Sequence, residues 1–179
     1  MASEAHKHLL LKGTTALTTG ASRGIGASIA YELACRGADV ALIYGSPGSD
    51  SLIRDLERRI TSLPHKPKAF SICEDLRRIE AASGIVEYLT CWRGGKASTR
   101  VDILVNNAGM ELVKKLEDIT PEDFEAVYNL NIRAPLLLTK ALLPYMPSSS
   151  RIINIGSVGA RAGFPNLSLY CSSKAALEA

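Results

Sequence analysis

No stretch of this sequence approaches the roughly 18 consecutive apolar residues of a membrane-spanning helix. None of its four cysteines stands in a C-x-x-C pair. The first absence argues against a membrane-embedded chain. The second argues against a zinc site or a redox dithiol. Four cysteines in 179 residues are also too few for the disulfide framework of small secreted chains. Charge of one sign is scarce: the net charge is +3, without the concentrated basic face of a nucleic-acid binder. The apolar run in MASEAHKHLLLKG, residues 1–13, is too short for a signal peptide. The expectation is a soluble, cytoplasmic protein with no nucleic-acid, membrane or metal partner. His6 and His8 form an isolated H-x-H, read as part of a solvated tail. Cys171 is read either as a reactive thiol or as a small space-filling residue.

What is present is ordinary globular composition, 46% hydrophobic and 22% charged, in a chain long enough for one domain with a sizeable core. Short β-branched runs alternate with helix-period segments. Thr15–Thr19, Asp39–Tyr44, Lys68–Ile72, Val101–Asn107 and Arg151–Ser157 are expected as strands. The helix after the first strand carries Ile25, Ile29 and Leu33 at helical spacing and stops at Gly37. The next places Leu52, Ile53, Leu56, Ile60 and Leu63 on one face. A third runs from about Arg77 to Trp92. A fourth starts with Thr120 as N-cap and Pro121 in the first turn, and extends to Tyr145 with a kink expected at Pro135. A last helix begins near Ser168. Strands alternating with helices imply crossover units and a parallel sheet. The fold class is therefore α/β, a doubly wound, Rossmann-like sheet of five strands in one domain spanning residues 1–179.

Thr18–Gly26, TTGASRGIG, joins the first strand to the first helix. Gly20, Gly24 and Gly26 permit a tight turn, and helix N-terminal amides behind such a turn favour phosphate. The spacing differs from G-x-G-x-x-G. A carboxylate ending the second strand would bind a ribose 2′-hydroxyl, but the strand ends Tyr44–Gly45–Ser46. Asp39 lies at that strand's beginning and Asp50 several residues past its end. Arg23, within the glycine turn, is suited to a 2′-phosphate, and Ser46 to a hydrogen bond. The cofactor expected is NADP(H).

These motifs, in order, resemble the short-chain dehydrogenase/reductase family. TGASRGIG (Thr19–Gly26) is similar to the family's T-G-x-x-x-G-x-G turn. NNAG (Asn106–Gly109) follows the fourth strand. Asn131 in NLNIRAP, Ser157 after the fifth strand, and Tyr170 with Lys174 as Y-x-x-x-K match the catalytic set. Asp75 in CEDLRR resembles an aspartate that contacts adenine. The resemblance implies catalytic roles for Asn131, Ser157, Tyr170 and Lys174. It implies cofactor contacts from Gly20, Ser22, Arg23, Gly24, Ile25, Gly26, Ser46, Asp75, Asn107, Ala108, Gly109, Tyr170 and Lys174.

The chemistry has a physical basis. A phenol is a weak acid at neutral pH, and an adjacent ammonium favours its phenolate. Residues four apart share a helical face, so Lys174 stands beside Tyr170. Tyr170 is then the candidate proton donor to a ketone oxygen, or acceptor from an alcohol. Ser157 is the candidate donor to the same oxygen. The resemblance implies that Lys174 also reaches the nicotinamide ribose, and that Asn131 holds a water linking Lys174 to solvent.

The resemblance also implies seven strands rather than five, with a substrate-covering segment after the Tyr–Lys helix. The expectation is a chain without that C-terminal segment. It is read as a truncated version of an ordinary reductase, a short protein working through a partner or self-assembly, or an inactive paralogue. The leading activity is NADP(H)-dependent interconversion of a small-molecule carbonyl and an alcohol. A non-redox isomerase or cyclase on the same scaffold and a dinucleotide-binding module without turnover stay open. A homo-oligomer is allowed. Phe164 and Leu167 in GARAGFPNLSLY point to an apolar substrate.

Overall fold

The computed structural model describes residues 9–179. His6 and His8 lie outside the described residues. Five strands form one sheet: β1 (Thr15–Thr19), β2 (Asp39–Tyr44), β3 (Ala69–Cys73), β4 (Ile103–Asn106) and β5 (Arg151–Asn154). All neighbours are parallel, in the order β3-β2-β1-β4-β5. The chain steps outward from β1 to β3, then returns to the other side of β1 for β4 and β5. The switch point therefore lies between β1 and β4, where the loops after these strands part and leave a crevice at their carboxyl ends.

Both faces of the sheet are covered, which is why its inner strands read as unbroken apolar runs. Side chains alternate between two cores. Ala16, Val40, Leu42, Ile103 and Val105 point to one, against α1 (Gly24–Cys35) and α2 (Asp50–Thr61). Leu17, Ala41, Ile43, Ile72 and Leu104 point to the other, against α3 (Ala81–Trp92) and a long helical segment.

That segment differs from the single kinked helix expected. It begins as α4 (Pro121–Tyr128), with Thr120 and Asp123 closing a reciprocal capping box. Residues Asn129–Arg133 widen into one π turn, where the Ala134 N–H bonds the Asn129 carbonyl. α5 (Ala134–Leu142) follows, ending in a 3₁₀ turn at Leu143–Tyr145. The irregularity thus precedes Pro135 rather than sitting on it. Proline has no N–H to offer the carbonyl four residues back, here Asn131, and its ring crowds that carbonyl. Widening the preceding turn relieves both problems.

Other expectations shift in detail. β3 runs one residue later than expected, because the Lys68 N–H is taken by the Asp39 carboxylate at 2.8 Å. α3 starts at Ala81 rather than Arg77, because residues 74–80 form a tight loop. β4 and β5 are shorter than their apolar runs. On α1 the core face is Gly26, Ala30 and Ala34, while Ile25 is 63% exposed. Small residues face the sheet because they let the helix approach it closely. On α2, Ile53, Leu56 and Ile60 are buried but Leu52 is exposed. The final helix, α6 (Ser168–Glu178), packs on α4 and the π turn. Among the described residues no helix is long and apolar enough to cross a membrane.

Candidate active site

The turn after β1 is built around absent side chains. Gly20 and Gly24 hold φ of +64° and +58°, the left-handed region that glycine occupies without strain. Gly26 has a different reason to be glycine. A Cβ there would stand 2.3 Å from the Gly20 carbonyl oxygen and 2.4 Å from Asn107 Nδ2. The turn is stitched to the end of β4. Asn107 Nδ2 donates to the carbonyls of Thr19 and Gly20, at 2.9 and 3.3 Å. The backbone N–H groups of Asn107 and Ala108 both donate to Thr19 Oγ1 at 3.0 Å. The first amides of α1 have no intrahelical acceptor. Arg23 caps this end in extended conformation, exposed, and forms no ion pair or side-chain hydrogen bond among the described residues.

A cleft of about 400 Å³ opens over this turn. Of the residues expected at a cofactor site, Gly20, Ser22, Arg23, Ser46, Asp75, Asn107, Ala108 and Gly109 line it. Gly24, Ile25 and Gly26 form the helix start behind it, and the Ile25 side chain faces solvent. Tyr44, Ser49, Arg77 and Leu130 complete parts of the wall that sequence reading missed. Tyr44 is the end of β2, and its hydroxyl donates to Asp50 Oδ1 at 2.9 Å. Burial, together with that carboxylate, pushes the Tyr44 phenol far above its ordinary value. Asp50 is thereby turned onto Tyr44 and does not line the cleft.

Asp75 is bound by its near neighbour. Its Oδ1 accepts from the Arg77 N–H and Nε, at 3.0 and 2.9 Å, and its Oδ2 from Arg77 Nη2 at 2.7 Å. These hydrogen bonds hold the carboxyl below the usual aspartate range. The i, i+2 spacing of Asp75 and Arg77 within EDLRR is the signal that could have found Arg77. Arg133, from the π turn, donates through Nη2 to the Arg77 carbonyl.

The four expected catalytic residues lie beyond Gly109; none of them lines the cleft, including Tyr170 and Lys174, which were also expected at the cofactor. Lys174 is 4% exposed, and its Nζ donates to the Ile155 carbonyl at 2.7 Å. Burial lowers its ammonium from the ordinary lysine value, partly offset by Glu178 one turn later. Lys174 Nζ lies 6.0 Å from the centroid of the Tyr170 ring. Ser157 and Tyr170 meet across Gly159: a Cβ there would stand 3.3 Å from Ser157 Oγ and 3.5 Å from the Tyr170 ring. Cys171 Sγ would be 3.2 Å from the same point, so the thiol fills space against that glycine.

Asn131 is fully buried. Its Oδ1 accepts from the Met110 N–H at 2.9 Å, and its Nδ2 donates to the Met110 carbonyl at 3.0 Å and to Ser173 Oγ at 2.9 Å. Ser173 in turn donates to the Tyr170 carbonyl at 2.8 Å. Both amide donors are therefore used in tying the NNAG loop to α6. Pro135 has no N–H to donate to the Asn131 main-chain carbonyl. Gly109 lets these elements converge: a Cβ on it would stand 3.3 Å from Asn131 Oδ1 and 3.5 Å from Lys174 Nζ. Glu178 adds a brace not read from sequence. Its Oε1 accepts from the Ser157 N–H at 3.3 Å and lies over Gly156.

The family model described as short chain dehydrogenase matches residues 14–179. The chain belongs to the short-chain dehydrogenase family. Among curated relatives, this short-chain dehydrogenase is 39% identical to the L-xylo-3-hexulose reductase of Hypocrea jecorina, covering 93% of this chain and 59% of that protein. It is 37% identical to the hydroxynaphthalene reductase arp2 of Aspergillus fumigatus, over 96% of this chain and 59% of that one. Among solved structures, the angucycline C-6 ketoreductase LanV with bound NADP superposes with a TM-score of 0.88 at 35% identity. That match covers 94% of this chain and 65% of LanV. The chain thus spans about three fifths of the length of the curated relatives it matches. These relatives are reductases.

Proposed function

We propose that the chain carries the cofactor cleft and catalytic group of an NADP(H)-dependent reductase that interconverts a carbonyl and an alcohol. The observation that carries this reading is the convergence of Asn131, Ser157, Tyr170 and Lys174 around Gly109 and Gly159, beside a glycine-walled cleft. A dinucleotide fits that cleft. The turn offers helix amides with no intrahelical acceptor, and Gly20 and Gly26 let it close against the end of β4. Arg23 and Ser46 would hold the 2′-phosphate, with Asp50 drawn away onto Tyr44. The bound nicotinamide supplies hydride transfer to or from the substrate carbon.

The chain's own residues handle the oxygen and its proton. Tyr170 donates a proton to the carbonyl oxygen in reduction and takes it back in oxidation. Ser157 hydrogen-bonds that oxygen as charge develops on it. Lys174, buried and held by Ile155, supplies positive charge beside the phenol. A water on the Asn131 carbonyl would replenish the proton. LanV, a ketoreductase bound to NADP, and the two curated reductases support this chemistry. The exposed Phe164 in the loop before α6 supports an apolar carbonyl substrate.

The test has two readouts. NADPH should raise the melting temperature of the 179-residue protein more than NADH at equal concentration, because binding to the native state stabilises it. A larger shift with NADH would overturn the cofactor assignment. Carbonyl-dependent oxidation of NADPH should fall by roughly 10²- to 10⁴-fold in Tyr170→Phe, the usual contribution of a general acid. Unchanged turnover in that variant would overturn the role of Tyr170.

A further inference from the structure

Tyr170, Lys174 and Glu178 stand four residues apart on α6 and so share one face of it. The first two serve the proton transfer proposed above. The third reaches the turn that carries Ser157.

β5 ends at Asn154, and the chain then enters a 3₁₀ turn at Val158–Ala160 with Ser157 as its cap. The Gly159 N–H donates to Ser157 Oγ at 3.0 Å. One lone pair of the hydroxyl is thus occupied, and its hydrogen is left to donate outward. The main chain of Ser157 has a different anchor. The strand's last ladder bond runs from the Ile155 N–H to the Asn106 carbonyl, at 2.9 Å. Among the described residues no main-chain carbonyl accepts from the Ser157 N–H; Glu178 Oε1 does, at 3.3 Å. Gly156 makes this reach possible, because a Cβ there would collide with Glu178 Oε1 and stand 3.1 Å from its carboxyl carbon. The other oxygen, Oε2, meets Arg161 Nε at 3.4 Å, just past the turn. The Arg161 side chain is 85% exposed, so that pair contributes little. The bond to Ser157 is the one with a consequence.

We propose that Glu178 is a positioning residue for Ser157, holding the turn after β5 so that the serine hydroxyl faces the substrate oxygen beside Tyr170. This rests on the catalytic reading above. A donor to developing charge must stand where that charge forms, and small misplacements are costly. Glu178 acts through the serine and touches neither substrate nor cofactor.

The experiment has two independent readouts. Amide hydrogen exchange, followed by NMR on the 179-residue protein, reads the anchor without turnover. The Ser157 N–H should exchange about tenfold faster in Glu178→Ala than in the wild type, the scale of one hydrogen bond to a charged group. Glu178→Gln should keep most of the protection, because its amide oxygen still accepts. Carbonyl-dependent oxidation of NADPH reads the consequence. Glu178→Ala should lower kcat about tenfold, and Glu178→Gln should restore most of that loss. Once Ser157→Ala has removed the hydroxyl, Glu178→Ala should cost nothing further, since the two changes remove one interaction. The Glu178 side chain is 30% exposed, so neither variant opens the core. Three results overturn the proposal: equal exchange of the Ser157 N–H in the wild type and Glu178→Ala, a loss of kcat in Glu178→Gln as large as in Glu178→Ala, or costs of Ser157→Ala and Glu178→Ala that multiply. Multiplying costs would make Glu178 a general support of the fold. A wild-type chain whose Ser157 N–H is protected through Glu178 but which reduces no carbonyl overturns the catalytic reading itself, and this inference with it.

Discussion

Two glycines in one turn are required for different reasons, and the difference is measurable. Gly24 has open space where a side chain would go, and only its φ of +58° opposes substitution. Gly24→Ala should therefore cost about 1–2 kcal/mol, the strain of a left-handed non-glycine residue. At Gly26 a Cβ would collide with the Gly20 carbonyl, and backbone cannot swing aside as a flexible side chain can. Gly26→Ala should cost roughly 3 kcal/mol, at the upper end of overpacking penalties, and should also widen the phosphate turn. Urea denaturation of the two variants checks this, and equal losses would contradict the distinction. The sequence showed three glycines; it did not show which was held by torsion and which by contact.

The helical segment from α4 to α5 shows the same limit one level up. Thr120, Pro121 and Asp123 announce its start, and the capping box forms as those residue types demand. Pro135 announces an irregularity but not its form. The π turn is the form that puts the Asn131 side chain into the interior, where it bonds the NNAG loop and Ser173. Asn131→Ala would leave the Met110 N–H and carbonyl without their partner and take a donor from Ser173 Oγ, which keeps only its bond to the Tyr170 carbonyl. The expected cost is about 2–4 kcal/mol, from several groups losing hydrogen bonds at once. Thermal or chemical unfolding measures it. A loss below about 1 kcal/mol, as at an exposed helical asparagine, would refute the brace between the loop and α6.

For the molecule as a whole, the two sides of the sheet are finished differently. β1, β2 and β4 are buried, whereas every residue of β5 is exposed, with Ile152 and Ile153 at 45% and 42%. Among the described residues no strand pairs its outer side. Leu136 on α5 adds apolar surface nearby, 66% exposed. Such an edge templates pairing with another chain. The 179-residue protein should self-associate as its concentration rises, and Ile153→Lys should weaken that association. Sedimentation velocity over a concentration series reads both, and a chain that stays monomeric throughout would show the edge to be inert. What the sequence determined by itself is local: strand and helix periods, the capped start of α4, and the spacing of T-G-x-x-x-G-x-G and Y-x-x-x-K, each set by residues within a few positions of one another. The topology, the core face of α1 and the gathering of Asn131, Ser157, Tyr170 and Lys174 were decided by tertiary structure. So was the brace from Glu178 to Ser157. They depend on close approach between distant segments, and in this chain that approach is set by glycines and alanines, whose missing side chains leave no periodic hydrophobic signal to read.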